Sequence, residues 1–404
     1  MTCSHAHHQT PRWLLALLLA ALGMLGPFAV DTYIPAFQAI ATDLNATNLQ
    51  MQQTFSVYLA AFGVMFLFHG ALSDSFGRKP IIIAGLSIFL IGSIGCALSQ
   101  TIGQLLFFRA VQGLSVGAGM VVGRAMVRDL FPAEDSQRIM SMVTLWFGLA
   151  PAIAPMLGGY LYAHLGWHSI FWFTAIFCAL LIVMSFYAFH ETHPPELRQP
   201  FRMAPLLAGY KEVGASRPFL FLSLAAALNF NGFFLYILSA PVFLPTHLKL
   251  GPTEYSWLFV PGIAGIMTGA FISGRVAGRW SADKTVRLGY MIMTLAVVLN
   301  LALVLVVSPS VPWSIIPIYL YAAGTATAFP SLSIMVMDLF PARRGMASSL
   351  SAFVGGLFNA LVAGVLSPAL SHSVLWLALG MGTMMLGGLL CWTMYRRNVK
   401  GGRN

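Results

Sequence analysis

Long apolar runs separated by short polar turns make up almost the whole chain. We place twelve of them at approximately 13–38, 54–73, 81–99, 103–126, 139–163, 168–189, 219–244, 255–279, 287–307, 313–337, 346–370 and 373–395. A helix needs about 20 apolar residues to cross the hydrocarbon core of a bilayer. The pattern therefore predicts an all-α integral membrane protein with twelve transmembrane helices, and twelve crossings put both termini on one side.

Composition supports this prediction. The chain has 404 residues, of which 58% are hydrophobic and 8% charged, whereas soluble domains carry about 25% charged residues. The N-terminal apolar run exceeds signal-peptide length and lacks a clear cleavage site, so we interpret it as the first transmembrane helix. The four cysteines show no spacing typical of a disulfide framework or a metal site. We predict neither a metal nor a cofactor.

A proline-rich polar stretch divides the predicted helices into two sets of six. The predicted organisation is a tail (1–12), a six-helix bundle (13–189), a linker (190–218), a second bundle (219–395) and a tail (396–404). The segment Asp-Leu-Phe-Pro-Ala occurs at 129–133 and again at 338–342, after the fourth and tenth helices. This repeat indicates two pseudo-symmetric units, an arrangement that many secondary transporters use around a site at the membrane midplane.

The basic residues indicate the orientation. The net charge of +10 could suggest nucleic-acid binding, but the basic residues are scattered over separate loops and helix ends. With a cytoplasmic N-terminus, 20 of the 22 lysines and arginines lie on the cytoplasmic side, Lys249 lies outside and Arg109 lies within a helix. This asymmetry follows the positive-inside rule. It predicts a membrane protein with both termini cytoplasmic and no nucleic-acid partner.

Two charged residues lie deep inside apolar runs, Asp31 in the first helix and Arg109 in the fourth. An ionisable residue at membrane depth costs at least about 2.5 kcal/mol and suggests a function. Both residues are predicted in the outer half of the membrane, where they could pair. A carboxylate that alternates between pairing and burial can carry a proton, whereas a static ion pair would only join the two helices. Pro35 either kinks the first helix near Asp31 or marks its outer end.

The turn after the second helix, Gly70 to Pro80, reads GALSDSFGRKP and resembles the signature of the major facilitator superfamily. Gly70 allows close helix approach and Gly77 a tight turn. The resemblance implies that Asp74 locks an inner gate against helix eleven and that Arg78 pairs with an acid at the end of helix four, for which Asp129 is the candidate. Lys79 completes the signature.

Further segments resemble motifs of the same superfamily. The segment Arg109 to Gly113 resembles its helix-four motif, in which the arginine serves proton coupling. Residues 148–159 resemble the helix-five antiporter motif. Its Pro151, Pro155, Gly158 and Gly159 are present, but Ala150 and Ala154 replace glycines. The segments 31–37, 124–132, 251–269 and 337–354 resemble Bcr/CflA-type drug-resistance transporters, with Thr32 where methionine is usual. The resemblance implies proton-driven drug export through the bacterial inner membrane.

Aromatic and amide residues on the helices expected to border a cavity are the candidate cargo contacts. Aromatic side chains make up 13% of the chain, and an apolar wall with a few polar groups suits bulky amphipathic molecules. Asn229 and Asn231 fit interhelical hydrogen bonding equally well. The candidate cargo-binding residues are Tyr33, Gln112, Trp146, Asn229, Asn231, Phe233 and Tyr236.

The sequence thus favours a proton-coupled antiporter that exports small amphipathic drugs and confers antibiotic resistance, with a drug, protons and the lipid bilayer as partners. Family members are usually monomeric, so we expect a monomer. A proton symporter that imports a nutrient could use the same Asp31 and Arg109, and a receptor or scaffold would bind ligand without flux. No nucleophile–base pair or metal cluster suggests an enzyme.

Overall fold

The fold consists of helices and connecting turns. The computed structural model describes residues 12–131 and 133–401. Its twelve long helices are α1 Arg12–Asp31, α2 Asn48–Met65, α3 Arg78–Ala97, α4 Ile102–Leu130, α5 Ala133–Leu165, α6 His168–Ala188, α7 Arg217–Leu238, α8 Ser256–Val276, α9 Ala282–Val306, α10 Ile316–Asp338, α11 Arg344–Leu361 and α12 Val374–Gly401.

These helices confirm the predicted all-α membrane fold. Within the described residues, ten segments are long and apolar enough to span a membrane, and an eleventh is bent by 48° between α2 and its continuation His69–Phe76. The other long helix, α5, has 33 residues, or about 50 Å at 1.5 Å per residue. Together they match the predicted twelve crossings.

Eight of the helices form a ring around the centre. Helix packing gives the order α2, α4, α1, α5 through one half and α8, α10, α7, α11 through the other. The ring closes where α5 packs on α8 and α11 packs on α2. The remaining helices back the ring from outside, α3 and α6 in the first half and α9 and α12 in the second. The interior therefore lies between α1 and α4 on one side and α7 and α10 on the other.

The predicted linker and the predicted C-terminal tail both contain helical residues. The linker contains a helix, Met203–Gly214, whose Tyr210 hydroxyl donates to the Leu67 carbonyl at 2.9 Å. The last helix, α12, continues to Gly401, into the predicted tail from residue 396. Arg396 lies 2.8 Å from the Asp283 carboxylate and over the Trp392 ring, which extends the helix. The predicted tails also include residues 1–11 and 402–404, outside the described residues.

The two ends of the helix bundle carry different residues, and we call them the basic end and the sealed end. The basic end carries the turn 77–78, the linker and the start of α11. The sealed end carries the turns 44–47, 98–101 and 307–315, and it holds the two halves together. There Gln52 Nε2 donates to the Leu238 carbonyl at 3.2 Å, Gln53 Nε2 to Gly364 at 3.1 Å and Ser56 Oγ to Ala360 at 2.9 Å. Neutral side chains of α2 thus bind backbone carbonyls of α7, of α11 and of the helical segment that follows α11.

Candidate functional site

The polar centre of the first half begins at Asp31, the last residue of α1. The chain leaves the helix there, turns through a short 3₁₀ segment Ile34–Ala36, and resumes as a helix at Phe37. Pro35 lies in this break, which favours the kink interpretation over a helix terminus. Only 4% of Asp31 is exposed. The break therefore holds a carboxylate in the protein interior.

Arg109 is fully buried on the facing helix, α4. Its Nη1 donates to the Ala29 carbonyl at 2.8 Å and to Gln112 Oε1 at 2.9 Å. Its guanidinium carbon lies 4.3 Å from the centre of the Tyr58 ring and 4.7 Å from that of Tyr33, distances at which aromatic faces stabilise a cation. The Nε and Nη2 groups have no hydrogen-bond partner. Arg109 is thus a fixed cation with unused donors.

The structure brings Asp31 and Arg109 to the same depth but does not join them. Arg109 binds a carbonyl two residues before Asp31, and its guanidinium lies over the Tyr58 ring. In the part of the chain that the structure describes, no carboxylate lies within 4.0 Å of Arg109. The expected ion pair is therefore absent in this conformation, because the arginine reaches back to the α1 backbone and Asp31 ends the helix beyond it.

Gln112 positions Arg109. Its Oε1 accepts from the arginine, and its Nε2 donates to Ser93 Oγ at 2.8 Å. The Cys96 thiol lies 3.6 Å from the same Oε1, and Gln112 is fully buried between α3 and α4. Its predicted contact with cargo is not available in this conformation, because both ends of the amide are bonded inside the first half.

In the second half, the predicted polar contacts bind one another across helices. Asn229 Nδ2 donates to the Tyr290 hydroxyl at 3.0 Å, and Asn231 Nδ2 donates to Asn359 Oδ1 at 2.9 Å. The Tyr236 hydroxyl accepts from Asn300 at 2.8 Å. These bonds favour the interhelical role for Asn229 and Asn231.

The aromatic candidates differ in how much of each side chain is exposed. Tyr33 is fully buried and shares a hydrogen bond of 2.8 Å with Thr54 Oγ1, and Phe233 is 5% exposed against Gly262. Trp146 on α5 is half-buried. Of the predicted aromatic contacts, Trp146 keeps the largest exposed fraction in this conformation.

The predicted gating turn forms a polar cluster at the basic end. Arg78 Nε lies 3.2 Å from Asp129 Oδ2, which is the pair that the signature predicts. Arg78 also donates to Ser73 and to Asp74. Asp74 thus binds within its own half, and no hydrogen bond or ion pair of the described chain joins its carboxylate to α11.

The other two residues of the signature also have defined places. Lys79 donates to the Phe186 carbonyl at 2.7 Å, and Gly77 takes a positive φ of 98°.

The start of the linker completes this cluster through a residue that the sequence analysis missed. Glu191 Oε1 accepts from the backbone N–H groups of Arg78 and His193, each at 2.9 Å. A carboxylate at the first N–H groups of α3 complements the helix dipole. Arg198 lies 3.8 Å from the same carboxylate. An isolated glutamate in a polar stretch carries no local signal that it folds back onto a turn 113 residues earlier.

The helix-five glycines bring α5 into close contact with its neighbours. A Cβ at Gly158 would lie 1.7 Å from the Thr32 carbonyl, beside Asp31, and one at Gly159 would lie 2.5 Å from the Pro252 carbonyl of the other half.

Ala150 and Ala154 are fully buried against Phe28, so these alanines fit where the motif has glycines. Pro155 is buried and Pro151 half-buried in the same helix. The close helix approach predicted at Gly70 is not seen in this conformation, because nothing among the described residues lies within 4 Å of where its Cβ would be.

Two six-helix halves around a buried charged centre define a membrane transporter of the alternating-access kind. The sequence matches the family described as Major Facilitator Superfamily over residues 18–363 and, in a second match, 222–403. The chain therefore belongs to the major facilitator superfamily, a family of transporters, as the sequence predicted. It is a multi-pass membrane protein and not an enzyme.

Relatives of known sequence lie among bacterial resistance proteins. The chain is 30% identical to the bicyclomycin resistance protein homolog of Haemophilus influenzae over 292 residues, which cover 72% of this chain and 73% of the relative. It is 29% identical to the multidrug resistance protein MdtL of Escherichia coli over 333 residues, or 81% and 82% of the two chains. The predicted resemblance to Bcr/CflA-type transporters is confirmed.

Solved structures share the fold. An inward-facing, occupied bacterial homolog of the human lysosomal transporter Spinster superposes with a TM-score of 0.73 at 17% identity, over 96% of this chain and 97% of that one. A D-xylose–proton symporter superposes with a TM-score of 0.72 at 15% identity, over 94% and 97%. At these identities the likeness extends to the fold alone.

Proposed function

We propose that this protein exports small amphipathic drugs across the bacterial inner membrane in exchange for protons. The observation that carries the proposal is a buried carboxyl group, Asp31, beside a buried arginine with unused donors. The kinship with bicyclomycin and multidrug resistance proteins supports drugs as the cargo.

The positive-inside rule orients the protein with its basic end in the cytoplasm, and therefore with both termini there. Gln52, Gln53 and Ser56 then close the outer side, while Asp74 makes no hydrogen bond or ion pair to α11 among the residues that the structure describes. This arrangement fits an inward-facing state. In the outward-facing state we expect Asp74 to engage α11 and the neutral bonds of the sealed end to open.

Asp31 and Arg109 carry the coupling. A buried carboxyl group is less costly to hold with its proton than as a bare charge, so the lack of an ion pair with Arg109 fits a proton-loaded Asp31. Proton release leaves a carboxylate that Arg109 Nε and Nη2 can bind. Proton binding and pairing with Arg109 thus compete for the Asp31 carboxylate. One charge moving through 100 mV supplies about 2.3 kcal/mol, or roughly a 50-fold concentration gradient.

The test uses proteoliposomes that contain a pH-sensitive dye and hold an imposed proton gradient. Phenicols, sulfonamides and quaternary cations are added to wild type, Asp31→Asn and the matched control Asp43→Asn. Asp43 accepts a hydrogen bond from Trp167 at the sealed end, and an asparagine there keeps an acceptor. We expect drug-triggered proton release from wild type and Asp43→Asn and at least a tenfold loss in Asp31→Asn.

Other results would redirect the proposal. Equal release from Asp31→Asn would move the proton to another group. Cargo that accumulates in the direction of proton flow would indicate a symporter. Drug binding without flux in wild type would indicate a receptor.

A further inference from the structure

Two tyrosine rings lie against the guanidinium of Arg109, and the cycle described above gives them no role in coupling. Tyr58 belongs to α2 and Tyr33 to the break after α1, and both are fully buried. The guanidinium carbon lies 4.3 Å from the centre of the Tyr58 ring and 4.7 Å from that of Tyr33. The negative face of an aromatic ring attracts a cation, and the attraction is stronger where water is excluded. The two rings therefore supply negative potential where an ion pair would supply a carboxylate.

Both rings are held in place by contacts that do not involve the two charged residues. The Tyr33 hydroxyl shares a hydrogen bond of 2.8 Å with Thr54 Oγ1. The Tyr58 hydroxyl donates to the Gly26 carbonyl at 3.3 Å. A Cβ at Gly113 would lie 2.3 Å from the Tyr58 carbonyl, so α4 approaches the α2 backbone closely at this level. The rings thus form a preorganised surface for the guanidinium.

Few other groups near Arg109 can balance its charge. Both of its hydrogen-bond acceptors, a backbone carbonyl and a glutamine side chain, are neutral. The Cys96 thiol of α3 lies 3.6 Å from the same glutamine oxygen, and thiols and phenols are largely neutral at pH 7. Helices α2, α5 and α6 carry no acidic, basic or histidine residue within 48–68, 139–163 and 169–188. Among the described residues, Asp31 is therefore the neighbour whose proton can change the charge balance.

We propose that Tyr58 and Tyr33 hold Arg109 away from Asp31 in the proton-loaded state and thereby set the pH at which the transporter releases its proton. The proposal rests on the export function and makes both tyrosines positioning residues. A deprotonated Asp31 can draw Arg109 into an ion pair only at the expense of the contact with the rings. Because the rings stabilise the unpaired arrangement, their removal should favour pairing and allow proton release at a more acidic pH.

The test measures drug-triggered proton release from proteoliposomes over a range of pH. Tyr58→Leu removes the ring, whereas Tyr58→Phe keeps the ring and removes only the hydroxyl. The matched control, Phe219→Leu, removes a fully buried ring of the second half that packs on Phe340. We expect Tyr58→Leu to raise the proton concentration at the midpoint of release roughly tenfold, the size of effect that a desolvated contact between a cation and a ring allows. Tyr58→Phe and Phe219→Leu should keep the wild-type midpoint.

Three results would overturn the proposal while leaving the export function intact. An unchanged midpoint in Tyr58→Leu would mean that the ring only packs the helices. The same shift in Tyr58→Phe would assign the effect to the hydroxyl, and an equal shift in Phe219→Leu would make it a general response to lost packing. If Tyr58→Leu does not fold, Tyr33→Leu against Tyr33→Phe provides the same comparison. Absent proton release from wild type with every drug would instead contradict the export function, and with it the role of the rings.

Discussion

The two halves of the molecule bury polar groups at corresponding places but use different chemistry. Gln112 on α4 and Tyr321 on α10 each lie 17 residues before the aspartate of the repeated Asp-Leu-Phe-Pro-Ala segment, and each is fully buried. Arg109 lies three residues before Gln112, and the corresponding position in the second half is Ile318. A common helical scaffold thus carries a charged centre in one half and a neutral centre in the other.

The second half satisfies its polar groups without charge. Three hydrogen-bonded pairs, each with at least one amide, join α7 to α9 and α11. They are Asn229 with Tyr290, Asn231 with Asn359 and Asn300 with Tyr236. Such pairs do not respond to protons near neutral pH, because neither an amide nor a phenol titrates there. In the function proposed above, proton coupling therefore belongs to the first half, and the second half is its neutral counterpart.

The largest expected effect comes from removing the charge that distinguishes the halves. In the proposed cycle Arg109→Gln leaves the deprotonated Asp31 without a cation to bind, and a buried charge that has lost its partner costs about 3–5 kcal/mol. We expect proton-coupled drug efflux from proteoliposomes to fall by at least about 100-fold. Arg109→Lys keeps the charge and should retain part of the activity, and Ile318→Val at the corresponding position should be silent. Comparable losses in Ile318→Val and Arg109→Gln would contradict the assignment of coupling to the first half.

A smaller effect is expected at the residue that positions Arg109. Gln112→Leu removes the acceptor for Arg109 Nη1, and a hydrogen bond to a charged group contributes about 1.5–3 kcal/mol. Drug-triggered proton release should fall roughly 10- to 100-fold, and its pH profile should shift because the arginine is free to approach Asp31. Gln104→Leu serves as the control, since Gln104 is exposed and bonds only near the start of α4. An unchanged pH profile in Gln112→Leu would mean that Gln112 only packs the helices.

The sequence predicted the features that are encoded within one stretch of the chain, but not the contacts that depend on how separate helices pack. The twelve helices followed from apolar periodicity, and the Arg78–Asp129 pair was implied by the resemblance to the superfamily signature. The depth of Asp31 and Arg109 also followed, because helix direction and residue counts fix it. Their lack of direct pairing did not follow, since it depends on the helix break after Asp31 and on the hydrogen bond to Ala29. Contacts such as Gln112 with Ser93 depend on the rotation of helices about their axes, which single-chain periodicity leaves open.

The smallest expected effect tests the neutral half. Tyr236→Phe removes the hydroxyl that accepts from Asn300 Nδ2, and a neutral hydrogen bond contributes about 1 kcal/mol. The loss is partly offset because the same Nδ2 lies 3.6 Å from Met381 Sδ, a weak acceptor. We expect a slightly lower unfolding temperature in detergent and an unchanged pH profile and drug range, because Tyr236 is 1% exposed. A changed drug range at unchanged stability would instead make Tyr236 a cargo contact, and the neutral half would then select the molecules whose export the charged half drives.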